Sequence, residues 1–337
     1  MNIEQLQQRF PDEASCRVFF ETILWPEGPI CPHCQHKSAW RITGSSARSG
    51  LLECASCHRQ FTVTTATPFH STKLSLLTWI HAMYSLVYSS KGVSSVYLAC
   101  WLGVSQKTAW RMQHILRLLM ATHQAVLPKL LGIVELDEKY VGGKPRFKHG
   151  VKHKRGHGTA KSCVATAVQR QGAVKATPVI NDSVSNLRPF VERNVSSCAQ
   201  LMSDEHSAYR LIAPGFADHQ TVSHGRKEFA RGDIHSNTAE SFHATVERAL
   251  QGVYHYMSKK HLALYTSEAA FRWNQRKPVE QIVQRGKNQG QKRVVMESLP
   301  LLVQLSNLLR NAAGLQLRRT KKGGFRILCA PLPLFGL

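Results

Sequence analysis

Hydrophobic positions change their period along the chain, and the changes divide it. From Lys73 to Ser90, "KLSLLTWIHAMYSLVYSS", and from Val93 to His123, "VSSVYLACWLGVSQKTAWRMQHILRLLMATH", apolar residues recur at three-and-four spacing and predict amphipathic helices. After Pro128 the texture turns β-branched. "GIVELDEKYVGG" (132–143) and "SCVATAVQRQGAVKATPVI" (162–180) predict strands, with "RQGA" as a hairpin turn. A helix over "NLRPFVERNVSS" (186–197), the strand-like "AQLMSDEHSAY" (199–209), and helices in "HSNTAESFHATVERALQG" (235–252) and "SKKHLALYTSEAAFRWNQR" (258–276) follow. This alternation predicts an α/β (α+β) domain. Residues 1–25 form a helical lead-in ending at "WPEGP"; beyond 280, "QRGKNQGQKRVV" reads as a polar linker before an apolar helix near 296–312.

With 337 residues and 43% hydrophobic content the chain can bury a sizeable core, enough for two or three domains at roughly 150 residues each. Charge narrows the partners. Forty-four lysines and arginines against 21 acids give a formal +23, which draws the protein toward polyanions, nucleic acid first. No run of about 20 apolar residues predicts a membrane span, and the N-terminus lacks the basic start and apolar run of a secretory signal. Both point to a cytoplasmic protein with no membrane partner. Nine cysteines are an odd count for a disulfide framework, whereas four of them fall in two Cys-x-x-Cys pairs.

Those pairs, "CPHC" (31–34) and "CASC" (54–57), are separated by 19 residues able to form the hairpin of a zinc ribbon. Cys31, Cys34, Cys54 and Cys57 would close a tetrahedral shell, so the zinc is expected to be structural. In "GVSSVYLACWLGVSQKTAWRMQHILR" (92–117), an apolar helix, a tight turn at Gly103 and a second helix opening with Ser105, Gln106, Lys107, Thr108 and Arg111 match a DNA-reading helix-turn-helix; a plain helical hairpin would look similar. The third constellation is acidic. Asp137 in one predicted strand, Asp204 closing another and Glu240 on a helix could together hold two magnesium ions, or manganese in their place, for displacement at phosphorus. The loop "KPRFKHGVKHKRGHGTAK" (144–161) carries seven Lys or Arg and three His; Lys144, Arg146, Lys152, Lys154 and Arg155 are candidate phosphate grips, as is Arg248 beyond it.

Glu240 also has a local reading. With Asn237 as N-cap, Glu240 three residues on would close a capping box. On a helical wheel Phe242, Val246, Ala249, Leu250 and Val253 share a face with Ala239, and Glu240, His243 and Glu247 fall on its polar shoulder. A carboxylate bound to metal cannot also close the box, so the cap would then be Asn237 alone.

Taken in order, "CPHC…CASC", "LGVSQKTAWRMQHILR", "VELDEKYVGGK", "SDEHSAY" and "HSNTAESFHATVERALQGVYHYMSKKHLALYTSEAAFRWNQR" resemble the zinc-ribbon DDE transposases of bacterial insertion sequences, specifically insertion-sequence family 1595. The likeness implies a ribonuclease-H-like catalytic fold with Asp137 and Asp204 as the first two acids, Glu240 as the third and Asn237 in reserve. It implies a polynucleotidyl transferase that cuts at element ends and transfers strands into target DNA, acts at least as a homodimer, and works at the bacterial nucleoid. The expected organisation is a zinc ribbon (1–66), a helix-turn-helix region (67–127), a catalytic domain (128–280) and an uninterpreted extension (281–337). Two positions depart from the family pattern: His243 stands where tryptophan is usual, and Glu247 where a phosphate-gripping lysine is usual, with Arg248 and Lys259 as nearby cations. A zinc-ribbon transcription regulator, an inactive relic and a magnesium-dependent nuclease without strand transfer are the competing readings.

Overall fold

The computed structural model describes residues 1–44, 47–143, 149–150, 161–223, 225, 228, 230–286, 289–319 and 325–329, the last five and 318–319 by backbone only. In chain order the elements are α1 (Ile3–Arg9), α2 (Glu13–Leu24), β1 (Ala39–Arg41), β2 (Leu52–Cys54), β3 (Gln60–Phe61), α3 (Leu76–Tyr88), α4 (Ser95–Leu102), α5 (Gln106–Val126), β4 (Ile133–Val141), β5 (Ser162–Gln169), β6 (Val174–Val179) and α6 (Val184–Asn194). Then come β7 (Gln200–Ser203), α7 (Ser207–Ile212), β8 (Asp218–Thr221), α8 (Asn237–Ala249), α9 (Leu262–Asn274), β9 (Arg276–Ile282), β10 (Lys292–Ser298), α10 (Leu301–Leu309), β11 (Leu315–Arg319) and β12 (Phe325–Cys329). Two compact units result: Met1–Tyr88 with Ser95–Leu119 and Pro300–Leu337, and Ser89–Ser94 with Met120–Leu299.

In the first unit, β1, β2 and β3 form an antiparallel sheet, and Cys31, Leu52, Cys54 and Phe61 bury together against Trp25. α2, α3 and α10 pack on one another. The start of α3 is held from a distance: Glu13 accepts the amides of Leu76 (3.0 Å) and Leu77 (3.3 Å), donors with no partner inside the helix. α4 ends at Gly103, whose φ of +64° suits glycine; the Val104 amide returns to the Ala99 carbonyl, so the chain reverses into α5 within three residues. α5 buries Ala109, Met112, Ile115, Leu116 and Leu119, the stripe its periodicity predicts.

In the second unit a five-stranded sheet runs β6-β5-β4-β7-β8. β4, β5 and β6 are an antiparallel meander whose tight turn follows "RQGA", with Gln171 at φ +53°. β7 and β8 join β4 in parallel, so α6 and α7 serve as crossovers. Strand alternation then sorts the residues. Val134 and Leu136 face a core with Leu187, Val191, Tyr209 and Ile212 from α6 and α7. Val141, Val164 and Val168 face another, covered by Ala239, Phe242, Val246 and Ala249 of α8 and Ala269 and Ala270 of α9. Phe242 is fully buried edge-on to Trp273 at 5.6 Å; its burial contributes about 1.5–3 kcal/mol.

Three expectations need correction. The stretch read as a polar linker after 280 is instead half of a hairpin, in which β9 pairs with β10 around a turn where Gly286 and Gly290 have positive φ. The helix near 296–312 is confined to Leu301–Leu309, started by Pro300. β8 was not expected, because "DHQT" has no apolar alternation; it is an edge strand, half-buried beyond Asp218.

Candidate active site and metal centre

β4 sends Glu135, Asp137 and Lys139 toward α8, and each meets it one turn further along. Two residues of strand advance about 6.7 Å and four of helix about 6 Å, so the two elements stay in step. At the first rung, fully buried Glu135 accepts the amides of Thr238 (2.7 Å) and Ala239 (3.0 Å) and the Thr238 hydroxyl (2.9 Å), while Arg170 Nε donates to it at 2.7 Å. This overturns Asn237 as the expected cap, and with it the alternative capping box. The N-cap residue is Ser236, without a side-chain cap bond; the carboxylate that satisfies the helix start comes from 103 residues upstream.

At the second rung stands Asp137, one-fifth exposed. Its Oδ1 accepts the Glu138 amide at 2.8 Å, and its Oδ2 lies 3.1 Å from His243 Nδ1. The other ring nitrogen, Nε2, is 2.9 Å from the hydroxyl of Thr166, the residue paired with Asp137 across β4 and β5. His243 is buried, not on the polar shoulder expected of it. At the third rung Lys139 Nζ donates to Glu247 Oε2 at 2.5 Å, and Gln251 donates to the other oxygen. The Lys139 bond chiefly holds the Glu247 carboxyl below its ordinary range, with Lys161 adding to it. Glu247, where the resemblance predicts a lysine, therefore has a lysine against it, supplied by the strand.

Asp204 follows β7 directly. Glu135 pairs with Met202, the last pair of the parallel register, and the same register carried two residues further would bring Asp204 beside Asp137. Asp204 Oδ1 accepts the His206 amide at 3.1 Å, fixing the turn that leaves the strand. Glu240 is exposed on the first turn of α8, and Asn237 is exposed at its first position. Asp137, Asp204 and Glu240 do not bring their ligand atoms within 4.8 Å of one another; among the described residues, two other clusters do, the four cysteines and Glu138, Asp182 and His206. The latter lies on the opposite face of β4, where Tyr209 donates to Glu138 at 2.6 Å and His206 Nε2 is 3.4 Å from Asp182. Burial raises the Glu138 carboxyl and drives Tyr209 well above its ordinary value, and Asp137 and Asp204 push both the same way.

These partners were missed in the sequence because no local spacing links them. Glu135 and Lys139 flank Asp137 at the alternation of one strand face, which was the available signal; His243 and Arg170 gave none.

The four cysteines fit zinc. Cys31 and Cys57 sulfurs are 3.7 Å apart and Cys34 and Cys54 3.5 Å, close to the ~3.8 Å edge of a tetrahedron with 2.3 Å zinc–sulfur bonds. His33 and Ser56 amides point at Cys31 and Cys54 sulfur at 3.4 Å, and Gln35 and His58 take positive φ to close each knuckle. Burial pushes the Cys31 thiol up to about 12, whereas the Cys57 and Ser56 amides pull Cys54 down to about 6. An ion on the four sulfurs would answer both.

Of the candidate DNA contacts, Ser105, Gln106, Lys107 and Arg111 are exposed along the front of α5. Ser105 also accepts the Thr108 amide at 3.2 Å, and Gln106 reaches Ser95 at 2.7 Å. Arg248 is exposed, 3.2 Å from the Thr245 hydroxyl. Lys144, Arg146, Lys152, Lys154 and Arg155 lie outside the described residues. Among the described residues no helix is long and apolar enough to cross a membrane.

Comparison with known proteins adds the kinship. A family model described as ISXO2-like transposase domain matches residues 129–274, and one described as transposase zinc-ribbon domain matches residues 11–60. Over 269 residues the chain is 29% identical to an uncharacterized protein in transposable element ISH50 of Halobacterium salinarum, spanning 76% of this chain and 89% of that one. Distant likenesses exist to a simian T-cell lymphotropic virus intasome in complex with PP2A regulatory subunit B56 gamma (12% identity, TM-score 0.26, 56% of this chain and 64% of that one) and to the Mos1 strand transfer complex (12%, 0.22, 58% and 76%). The chain thus spans less than two thirds of the intasome chain, and likenesses at these TM-scores carry no argument. A zinc-ribbon domain thus stands ahead of an ISXO2-like transposase domain, and both match the domain models of insertion-sequence family 1595 transposases.

Proposed function

We propose that this transposase cuts DNA at the ends of its element and joins the freed 3′-hydroxyl to target DNA, using Asp137, Asp204 and Glu240. The observation that carries the reading is the parallel pairing of β4, which bears Asp137, with β7, which Asp204 directly follows, and α8 laid across the face of β4 that Asp137 shares. The strand order, an antiparallel meander extended by two parallel strands, supports a ribonuclease-H-like core. Carboxylate oxygens are the donors that magnesium or manganese takes. Metal bound there would supply activation of the attacking hydroxyl and neutralisation of charge on the leaving oxygen. Asp137 is pre-aimed by the Glu138 amide and His243, and Asp204 by the His206 amide, so neither has to reorganise. Glu240, on the first turn of an anchored helix, is the third donor; it has to approach the aspartates for all three to share an ion.

Recognition in this reading belongs to the first unit. The front of α5, with Ser105, Gln106, Lys107 and Arg111, would enter the major groove at the terminal repeats, and the ribbon would hold zinc on Cys31, Cys34, Cys54 and Cys57. Lys144, Arg146, Lys152, Lys154, Arg155 and Arg248 would grip phosphates. Two ends in one reaction call for at least a dimer.

The test is a joining assay with duplex oligonucleotides of the element end, precut to expose the 3′-hydroxyl, and a second duplex as target. Asp137→Asn and Asp204→Asn should each abolish magnesium-dependent cutting and joining while leaving gel-shift affinity for the end unchanged. Retained activity in either refutes the assignment; cutting without joining by the unaltered protein makes it a nuclease.

A further inference from the structure

We infer that His243 is a positioning residue for Asp137, fixing the carboxylate in the orientation that binds a divalent cation. The inference rests on the reading of Asp137 as a metal ligand. The ring sits between two groups that leave it a single neutral arrangement. Nδ1 lies 3.1 Å from Asp137 Oδ2, and a lone pair facing a carboxylate oxygen at that distance is repulsive, so Nδ1 carries the proton. In the neutral ring Nε2 is then the acceptor, with the Thr166 hydroxyl 2.9 Å away as its donor.

Every member of this chain is itself fixed. Thr166 belongs to β5 and is paired with Asp137 by sheet register. His243 is buried on α8, between Phe242 and Val246, which anchor the helix in the core, and Glu135 holds the helix start. The opposite oxygen, Oδ1, is taken by the Glu138 amide at 2.8 Å. Asp137 thus has one protein N–H directed at each oxygen, which sets the plane of the carboxylate and leaves a lone pair on each for an incoming ion. Without the imidazole, Oδ2 loses the N–H that α8 directs at it, and the side chain gains rotational freedom that metal binding would have to remove.

Asparagine and glutamine separate this role from packing, since the asparagine amide can occupy the place of Nδ1 and the glutamine amide that of Nε2. The full-length, zinc-loaded protein is titrated with Mn²⁺ alone and free Mn²⁺ is read by electron paramagnetic resonance, with thermal unfolding of each variant alongside. His243→Gln and His243→Phe should weaken Mn²⁺ binding by about 10–100-fold, whereas His243→Asn should stay near the unaltered protein even where its melting temperature falls as far. Mn²⁺ affinity that follows melting temperature across the three variants, or unaltered affinity in His243→Gln, overturns the inference. Asp137→Asn is the control that keeps the two readings apart. If it abolishes binding while His243→Gln does not, only the inference falls; if it leaves binding intact, the assignment of Asp137 as a ligand falls as well.

Discussion

Replacing Glu135 with alanine should destabilise the α/β unit more than any change to the proposed ligands. The carboxylate is wholly buried and holds Arg170, the Thr238 hydroxyl and the amides of Thr238 and Ala239. Alanine leaves Arg170 without its buried counter-ion, and breaking such a pair from one side costs about 3–5 kcal/mol. At 2–4 °C per kcal/mol for a unit of this size, the melting temperature should fall by roughly 6–20 °C. Glutamine is a finer probe: its amide nitrogen must face either Arg170 or the helix amides, so one set of bonds to a charged acceptor is lost, at about 1.5–3 kcal/mol. Urea unfolding measures both, and hydrogen exchange locates them, because the Thr238 and Ala239 amides should lose protection ahead of the rest of α8. A cost below about 1 kcal/mol for alanine, with α8 exchange unchanged, would refute the claim that this carboxylate anchors the helix; such a value is the ordinary worth of an exposed pair. Joining activity lost in Glu135→Ala should return on cooling as α8 re-forms, unlike the loss in Asp137→Asn.

Charge exchange tests the outer rung: Lys139→Glu sets two carboxylates together and should weaken the unit, while the double change Lys139→Glu with Glu247→Lys should recover most of about 1 kcal/mol in the same urea assay, the pair being partly exposed. Zinc removal by a chelator, or Cys34→Ser, should release one zinc per chain by elemental analysis and expose the amides of β1–β3 to exchange while the five-stranded sheet keeps its protection; intact β1–β3 without metal would argue against a structural ion. Burial holds His219 below its ordinary range, with Ser203 2.8 Å from Nε2. Its neutral form is favoured in the fold, so its contribution is complete above about pH 6.5 and is lost as pH falls from there toward the lowered folded value, where the unfolded chain takes up a proton the folded one resists. His219→Gln should flatten the fall in urea stability between pH 7.5 and 5.5; an unchanged slope would assign it to other groups.

What the sequence made legible was local. The cysteine pairs, the hairpin around "RQGA", the helix pair broken at Gly103 and the stripe of α5 each follow from spacing along one short segment, and periodicity reads such spacing. What it hid was carried between elements. Glu135 caps a helix 103 residues away, as Glu13 caps α3 from 63, and a donor–acceptor pair at that separation leaves no pattern in either segment. β8 and β9 were missed for a related reason: an edge strand or exposed hairpin needs no apolar alternation, because its partner supplies the hydrogen bonds and water reaches the side chains.

Glu247 joins the two cases. Read alone, it is an acid where the resemblance predicts a lysine, and the local inference is damage. Set against β4, it is half of an ion pair whose lysine stands two residues beyond Asp137 on the same strand face, so a positive charge is present in that neighbourhood, carried by the strand. A substitution that alters sign is therefore legible only with its partner, and the partner is chosen by strand register, which fixes that Lys139 and Asp137 share a face while Glu138 between them serves the other. The same register explains why Glu138, the acid nearest Asp137 in sequence, belongs to a separate cluster with Asp182, His206 and Tyr209. Adjacency along a strand separates side chains; alternation is what gathers them.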